Sequence, residues 1–163
     1  MDTTSVNERN HTTVERKSER ELVVRRTFNA PAHIVFTAWT RADLMQRWWV
    51  PQSMAMSFSC EMDVRTGGTY RFEFKMEGSE PMAFFGKYIE VVPNQRVVWT
   101  NEESDEGAIT TVTFEEKGGK TMLVLHEIYP SKEALDRNAG MEEGMDETFN
   151  QLDALLVTLA AEL

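Results

Sequence analysis

Apolar and polar residues alternate along most of the chain, which is the pattern of β-strands with one buried face. In residues 69–76, Tyr70, Phe72, Phe74 and Met76 share one face, whereas charged residues occupy the other. Similar runs predict strands at 21–28, from 54 onward, and at 82–92, 95–102, 109–117 and 120–129. Short segments of turn-forming residues separate the later strands, so neighbouring strands are expected to pair antiparallel.

Two short helices are predicted after the first strand. Residues 29–31, Asn-Ala-Pro, end that strand, and a helix is expected from 31 to 39 because Pro is tolerated in a first helical turn. Thr40 and Asp43 resemble a capping box, which predicts a second helix that ends near Trp48.

One long amphipathic helix is predicted at the end of the chain. From residue 131 to 163, apolar residues recur at steps of three and four. Gly140 and Gly144 weaken the first turns, so residues 131–138 are expected to form a separate short turn, with the regular helix starting near Gly140. One helix is narrower than a six-stranded sheet, so the sheet must curve around it and leave a mostly apolar cavity near the two short helices.

Composition and charge narrow the functional classes. The 163 residues suit one domain, predicted over 20–163 after a polar, disordered tail over 1–19. The formal net charge of -10 disfavours nucleic acid and anionic membranes. The chain has no apolar run near the ~20 residues of a membrane span, no signal peptide and a single cysteine, Cys60, which excludes an intramolecular disulfide. These features indicate a cytoplasmic protein.

Two adjacent tryptophans occur in the segment DLMQRWWVPQ, residues 43–52. Neighbours on a helix point about 100° apart, so the rings of Trp48 and Trp49 cannot both face one core. Either both rings are core packing, or one packs the helix onto the sheet and the other closes the mouth of the cavity. Trp is usually well buried but seldom wholly so, and both alternatives stay open. Trp99 is a further candidate for the cavity.

His126 and Glu127 are the candidates for catalysis. They lie in the strand TMLVLHEIY, residues 121–129, which is apolar on both faces and is therefore expected to be central. Because side chains alternate, one of the two points toward the cavity, as a general acid or base or as a hydrogen-bond partner of a ligand. A lone ionisable residue in a central strand is more often structural. The sequence contains no metal-site spacing, P-loop, GxGxxG or GxSxG motif, so no metal or cofactor is expected.

Glycines mark two special backbone positions. Gly67 and its neighbour Gly68 allow a tight turn, and the flanking Asp63 and Arg65 are expected to form a structural ion pair. Gly86 lies within a strand, where Gly marks a bulge or a close approach of backbones.

Several segments, in this order of elements, resemble a known family. The segments are FNAPAHIVFTAWT (28–40), RWWVP (47–51), DVRTGGTYRF (63–72), GKYIEVVPNQRVVWT (86–100) and GMEEGMDETFNQLDALL (140–156). Together they resemble the START-like superfamily, also called SRPBCC or Bet v 1-like, and within it the C-terminal domain of the activator of the Hsp90 chaperone ATPase. The resemblance covers about residues 20–160. It implies an α+β helix-grip fold, in which a curved antiparallel β-sheet wraps around a long C-terminal helix and two short helices follow the first strand.

The expected function is a binding module that holds a small hydrophobic molecule without converting it. The expected ligand-binding residues are Trp48, Trp49, Tyr70, Phe72, Phe74, Trp99, His126, Met141, Met145 and Phe149. Related sequences often carry Gly-Trp where this chain has Gly144-Met145, and the slimmer methionine is expected to enlarge the cavity.

Two alternative functions follow from the resemblance. Some superfamily members are cyclases, dehydratases or hydrolases that act on polyketide-like molecules, with His126 and Glu127 as the candidates here. The family name also implies possible contact with an Hsp90-type chaperone. The acidic surface is compatible with either a monomer or a homodimer.

Overall fold

The computed structural model describes residues 12–54, 56–138 and 145–162. Within these ranges, one sheet contains β1 (Thr13–Arg16), β2 (Glu21–Phe28), β3 (Met56–Met62), β4 (Thr69–Met76), β5 (Met82–Val92), β6 (Arg96–Thr100), β7 (Ile109–Lys117) and β8 (Lys120–Ile128). The helices are α1 (Ala32–Thr40), α2 (Ala42–Trp48), α3 (Lys132–Asn138) and α4 (Met145–Glu162), and Gln52–Met54 forms a 3-10 turn. The α+β helix-grip fold is thereby confirmed.

The strands follow the order β1-β2-β8-β7-β6-β5-β4-β3. From β3 to β8 each strand pairs antiparallel with the next, as the short turns predict. The tightest reversal, between β7 and β8, uses Gly118 and Gly119 with positive φ. Because β8 also pairs with β2, it lies between two strands, which confirms that it is central.

The strand β1 differs from the sequence prediction, which placed residues 1–19 in a disordered tail. Thr13–Arg16 pairs antiparallel with β2, and Glu15 accepts a hydrogen bond from Arg25 at 2.9 Å. All four residues of β1 are exposed, so backbone hydrogen bonds rather than apolar burial hold the strand. A strand without a buried face lacks apolar alternation, which is why the pattern missed it. Residues 1–11 of the predicted tail lie outside the described residues.

Helices α1 and α2 lie where they are predicted, but the capping box is wrong. The hydroxyl of Thr40 donates to a carbonyl oxygen one turn earlier in α1, at 2.8 Å, and does not cap α2. The cap position of α2 is Arg41, whose side chain pairs with Asp43. At the start of α1, the amide of Ala32 donates to Oε1 of Glu116 on β7, at 2.8 Å. The sheet therefore supplies the carboxylate that stabilises this helix terminus.

Helix α4 packs its apolar side against the inner face of the sheet. Phe149, Leu152 and Leu156 are almost fully buried, whereas Val157 is 73% exposed. The ring centroid of Phe149 lies 5.5 Å from that of Phe28 on β2. The amphipathic helix is thus confirmed over its described residues, and α3 is the predicted short turn. The predicted start near residue 140 lies outside the described ranges. Among the described helices, none has both the length and the apolar character needed to cross a bilayer.

The predictions for the turn at Gly67 and for the close approach at Gly86 are confirmed. Gly67 has a φ of 88° in the turn before β4, and the exposed side chains of Asp63 and Arg65 pair beside it at 2.9 Å. A Cβ at Gly86 would lie 2.1 Å from the carbonyl oxygen of Thr100. Only glycine permits this close approach of β5 to β6, and a bulge follows in the same strand pair.

Candidate ligand-binding cavity

A cavity of about 370 Å³ lies between the inner face of the sheet and the beginning of α4. The C-terminal ends of α2 and α3 and the loop 101–107 complete its wall. This place agrees with the sequence prediction of a cavity near the two short helices. Seven aromatic side chains line it: Trp49, Tyr70, Phe72, Phe74, Phe84, Trp99 and Tyr129.

Alternation in β4 builds the aromatic wall. Tyr70, Phe72 and Phe74 fall on the inner face, and each is no more than 8% exposed. Phe84 on β5 stands directly opposite Phe72 in the strand register and packs against Phe74, with ring centroids 5.2 Å apart. Neighbouring rings of this kind stabilise one another beyond their apolar burial. The wall is therefore a continuous aromatic surface.

The two adjacent tryptophans have different environments. Trp48 is fully buried, and its Nε1 donates to a carbonyl oxygen of α1 at 3.0 Å. Trp49 is half-buried, lines the cavity and lies 5.6 Å from Phe72 between ring centroids. The amide nitrogen of Gln151 on α4 donates to two backbone carbonyl oxygens of the same segment, at 2.9 and 3.0 Å. One ring thus packs the helix and the other forms part of the cavity wall.

A chain of hydrogen bonds forms the polar end of the cavity. Tyr129 and Thr110 donate their hydroxyl groups to the two carboxylate oxygens of Glu127, at 2.9 and 3.2 Å. The amide nitrogen of Asn101 donates to the hydroxyl of Thr110 at 3.1 Å. The hydroxyl of Tyr70 lies 3.2 Å from Oδ1 of Asn101 and donates to a backbone carbonyl oxygen at 2.6 Å. The hydroxyl groups of this chain therefore donate to oxygens of the protein.

Three carboxylates line the cavity, those of Glu103, Glu106 and Glu127, and no Lys, Arg or His lies among its described lining residues. Glu106 pairs with the guanidinium of Arg137. The Oε2 atom of Glu103 is buried and has no hydrogen-bond partner in the described part of the chain. The polar end therefore has negative charge and a buried acceptor.

Burial keeps the phenols and the thiol of this region in their protonated forms. Burial raises the pKa of Tyr70 far above its usual range, and the carboxylate of Glu103 raises it further. Burial likewise raises the pKa of Tyr88 and brings that of Cys60 to about 11. A thiol with such a pKa is a poor nucleophile at neutral pH. These three groups are therefore neutral at physiological pH and poor nucleophiles.

The structure brings six of the ten predicted ligand-binding residues to the cavity wall. They are Trp49, Tyr70, Phe72, Phe74, Trp99 and Met145. Trp48 and Phe149 lie instead in the core between the helices and the sheet. Met141 lies outside the described residues.

Of the ionisable pair in β8, Glu127 and not His126 faces the cavity. Nε2 of His126 is 2.8 Å from a carboxylate oxygen of Glu21 on β2, on the outer face of the sheet. Because side chains alternate along a strand, Glu127 then falls on the inner face with Leu125, and both line the cavity. His126 is not placed to contact a molecule in this cavity, so Glu127 is the remaining candidate for acid–base chemistry.

Sequence reasoning missed several lining residues. Leu22 and Leu125 share a face with other apolar residues in β2 and β8, and this alternation was the available signal. Glu103 and Asn101 belong to the loop 101–107, whose residues show no periodicity. The conformation of that loop, rather than any sequence pattern, brings them to the cavity.

Comparison with known proteins agrees with this architecture. The model of the family described as Activator of Hsp90 ATPase homolog 1-like protein matches residues 29–157. A solved structure from Rhodobacter sphaeroides is 22% identical, covers 91% of this chain and 99% of its own, and has a TM-score of 0.84. A structure from Staphylococcus epidermidis is 26% identical, with coverages of 90% and 94% and a TM-score of 0.77. An AHSA1-like protein from Aeromonas hydrophila is 18% identical, with coverages of 83% and 93% and a TM-score of 0.68. The search of curated proteins finds no match.

Proposed function

Because the chain belongs to the family of Activator of Hsp90 ATPase homolog 1-like proteins, we propose that it uses its START-like fold to bind a small hydrophobic molecule. The observation that carries this proposal is the cavity of about 370 Å³ with seven aromatic side chains in its wall. Ligand sites are typically apolar clefts of about 300–1,000 Å³ with a few polar groups that orient the ligand. The cavity has both properties.

The apolar wall sets the expected affinity. Each methylene group that leaves water gains about 0.8 kcal/mol, so a ten-carbon molecule gains roughly 8 kcal/mol. Association costs at least about 4 kcal/mol in lost translational and rotational freedom. The remaining gain of about 4 kcal/mol corresponds to a Kd of about 1 mM, so screens must reach millimolar concentrations.

Filling the cavity tests the proposal. Met145 lines the cavity, so Met145→Trp adds a large ring at its edge. Val157→Trp is the matched control, because the same ring is added at an exposed position of the same helix. Naphthylmethanol should raise the Tm of the wild type and of the control, and should raise that of Met145→Trp much less. If the wild type shows neither a Tm shift nor occupancy in native mass spectrometry across apolar probes, the proposal is wrong.

Catalysis is a second candidate, which the position of Glu127 favours. Its carboxylate faces an apolar cavity and is oriented by Tyr129 and Thr110, as a general base requires. Turnover of polyketide-like aromatic substrates, followed by mass spectrometry, should fall at least ~100-fold in Glu127→Gln. Unchanged turnover would remove Glu127 from this role.

Contact with an Hsp90-type chaperone stays a prediction. The ATPase rate of the chaperone, measured with and without this protein, would test it.

A further inference from the structure

The polar end of the cavity determines which head group a ligand can carry. Resting on the proposed function, we propose that the ligand is an amphiphilic cation, with an apolar body between the aromatic rings and a protonated amine beside Glu103. The contacts of the three lining carboxylates and of the hydroxyl groups around them lead to this assignment.

The hydroxyl groups at this end already use their hydrogens and cannot donate them to an anionic ligand. Tyr70, Thr110 and Tyr129 each donate to an oxygen of the protein. A ligand carboxylate would face three glutamates, with no Lys, Arg or His among the described lining residues. Like charges in such a partly dry site repel each other strongly. Fatty acids and other carboxylates are therefore disfavoured.

Glu103 is the carboxylate that a ligand would contact. Glu106 already pairs with Arg137, and Glu127 already accepts two hydrogen bonds. Oε2 of Glu103 is buried without a described partner, which is unfavourable for a charged acceptor. A rotation of the Glu103 side chain toward the cavity that it lines would let an ammonium group supply the missing donor through a charge-assisted hydrogen bond, which is stronger than a hydrogen bond between neutral groups.

The aromatic side chains near this end also favour a cation. The ring centroids of Tyr70 and Trp99 lie 6.5 Å apart, and the hydroxyl of Tyr70 contacts Asn101 in the same loop as Glu103. Cations are attracted to the faces of such rings within about 6 Å. The net charge of -10 adds a long-range attraction for cationic molecules.

Three probes that share one ring system test the head group. Naphthylmethylamine, naphthylmethanol and naphthoic acid are titrated into the full chain by calorimetry at neutral pH and low salt. The amine should bind about tenfold more tightly than the alcohol, and the acid more weakly than either. Glu103→Gln should remove most of the preference for the amine while leaving the affinity for the alcohol unchanged. Glu102→Gln is the matched control, because Glu102 is exposed and does not line the cavity, and it should change no affinity by more than about twofold.

The outcomes separate this proposal from the proposed function. Equal binding of the amine and the alcohol, or tightest binding of the acid, overturns the proposal of a cationic ligand. The proposal of a hydrophobic ligand site would then still stand. Failure of all three probes to bind at millimolar concentration overturns both. The probe comparison uses the wild type, so it decides the matter even if Glu103→Gln does not fold.

Discussion

Arg26→Met should destabilise the fold, because Arg26 connects β2 to α4, whose residue Met145 lines the cavity. Arg26 is 2% exposed and shares the inner face of β2 with the apolar residues Val24 and Phe28. Its guanidinium forms an ion pair with Asp153 of α4 and donates to Oδ1 of Asn150 at 2.7 Å. Removing the guanidinium leaves the carboxylate of Asp153 at this interface without its charged partner.

The burial of Asp153 determines how much stability Arg26→Met should lose. Its side chain is 22% exposed, and burial raises its pKa even with Arg26 beside it. Breaking a buried ion pair by removing one partner costs about 3–5 kcal/mol. The second acidic partner, Asp146, is 62% exposed and contributes little. For a chain of this size each kcal/mol lowers the Tm by about 2–4 °C, so a fall of about 6–20 °C is expected.

The loss should also depend on pH. Without the guanidinium of Arg26, the pKa of Asp153 in the folded state rises further above its unfolded value, because only Arg26 opposes the effect of burial. A carboxyl group with a raised folded pKa destabilises the fold while it is ionised, and the penalty disappears as the pH falls below that pKa. The difference between wild type and variant should therefore be largest at neutral pH and should shrink as the pH is lowered toward about 4.

Urea unfolding followed by circular dichroism measures this effect. Arg25→Met is the matched control, since Arg25 is 43% exposed and pairs with Glu15 on the surface, and it should cost less than about 1 kcal/mol. Adding Asp153→Leu to Arg26→Met should recover most of the stability, because the buried charge is then gone. The reasoning is refuted if Arg26→Met costs no more than Arg25→Met, or if the double variant is no more stable than the single one.

Three further substitutions test local contacts. Tyr70→Phe removes the hydroxyl that donates to the carbonyl oxygen of Thr100 at 2.6 Å, and urea titrations should show a loss of about 1–3 kcal/mol; full stability would contradict that hydrogen bond. Gly86→Ala places a Cβ 2.1 Å from the same oxygen and should cost about 1–3 kcal/mol or more in the same assay, so an unchanged midpoint would rule out the close approach. Gln151→Leu removes two hydrogen bonds to the backbone around Trp49, and acrylamide should then quench tryptophan fluorescence more strongly; equal quenching would mean that Gln151 does not hold this segment.

Alternation made most of the fold predictable from the sequence. In strands with one buried face, such as the one that contains Tyr70, Phe72 and Phe74, apolar residues recur at every second position. This pattern is visible in the sequence without knowledge of tertiary contacts. The same pattern placed these rings on one face, and the structure puts that face inside. It could not decide between His126 and Glu127, because both faces of their strand are apolar and the pattern does not say which face is inner.

Features that depend on tertiary contacts were beyond the sequence pattern. The strand β1 has no buried face and is held by its pairing with β2. A threonine hydroxyl can accept from the first amides of a following helix or donate to a carbonyl oxygen of the preceding turn, and Thr40 donates within α1 instead of capping α2. Glu103 reaches the cavity through the conformation of a loop. Arg26 interrupts the apolar inner face of β2, and its acidic partners are supplied by α4.

Indole N–H resonances give the most direct test of the ligand cavity, since the chain has four tryptophans in distinct environments. In a titration of ¹⁵N-labelled protein with naphthylmethanol, the indole signals of Trp49 and Trp99 should shift most, because both rings line the cavity. The signal of Trp48 should shift far less, because its Nε1 donates to a backbone carbonyl oxygen and its ring is fully buried. Unchanged signals of Trp49 and Trp99 at millimolar probe would contradict hydrophobic ligand binding in this cavity.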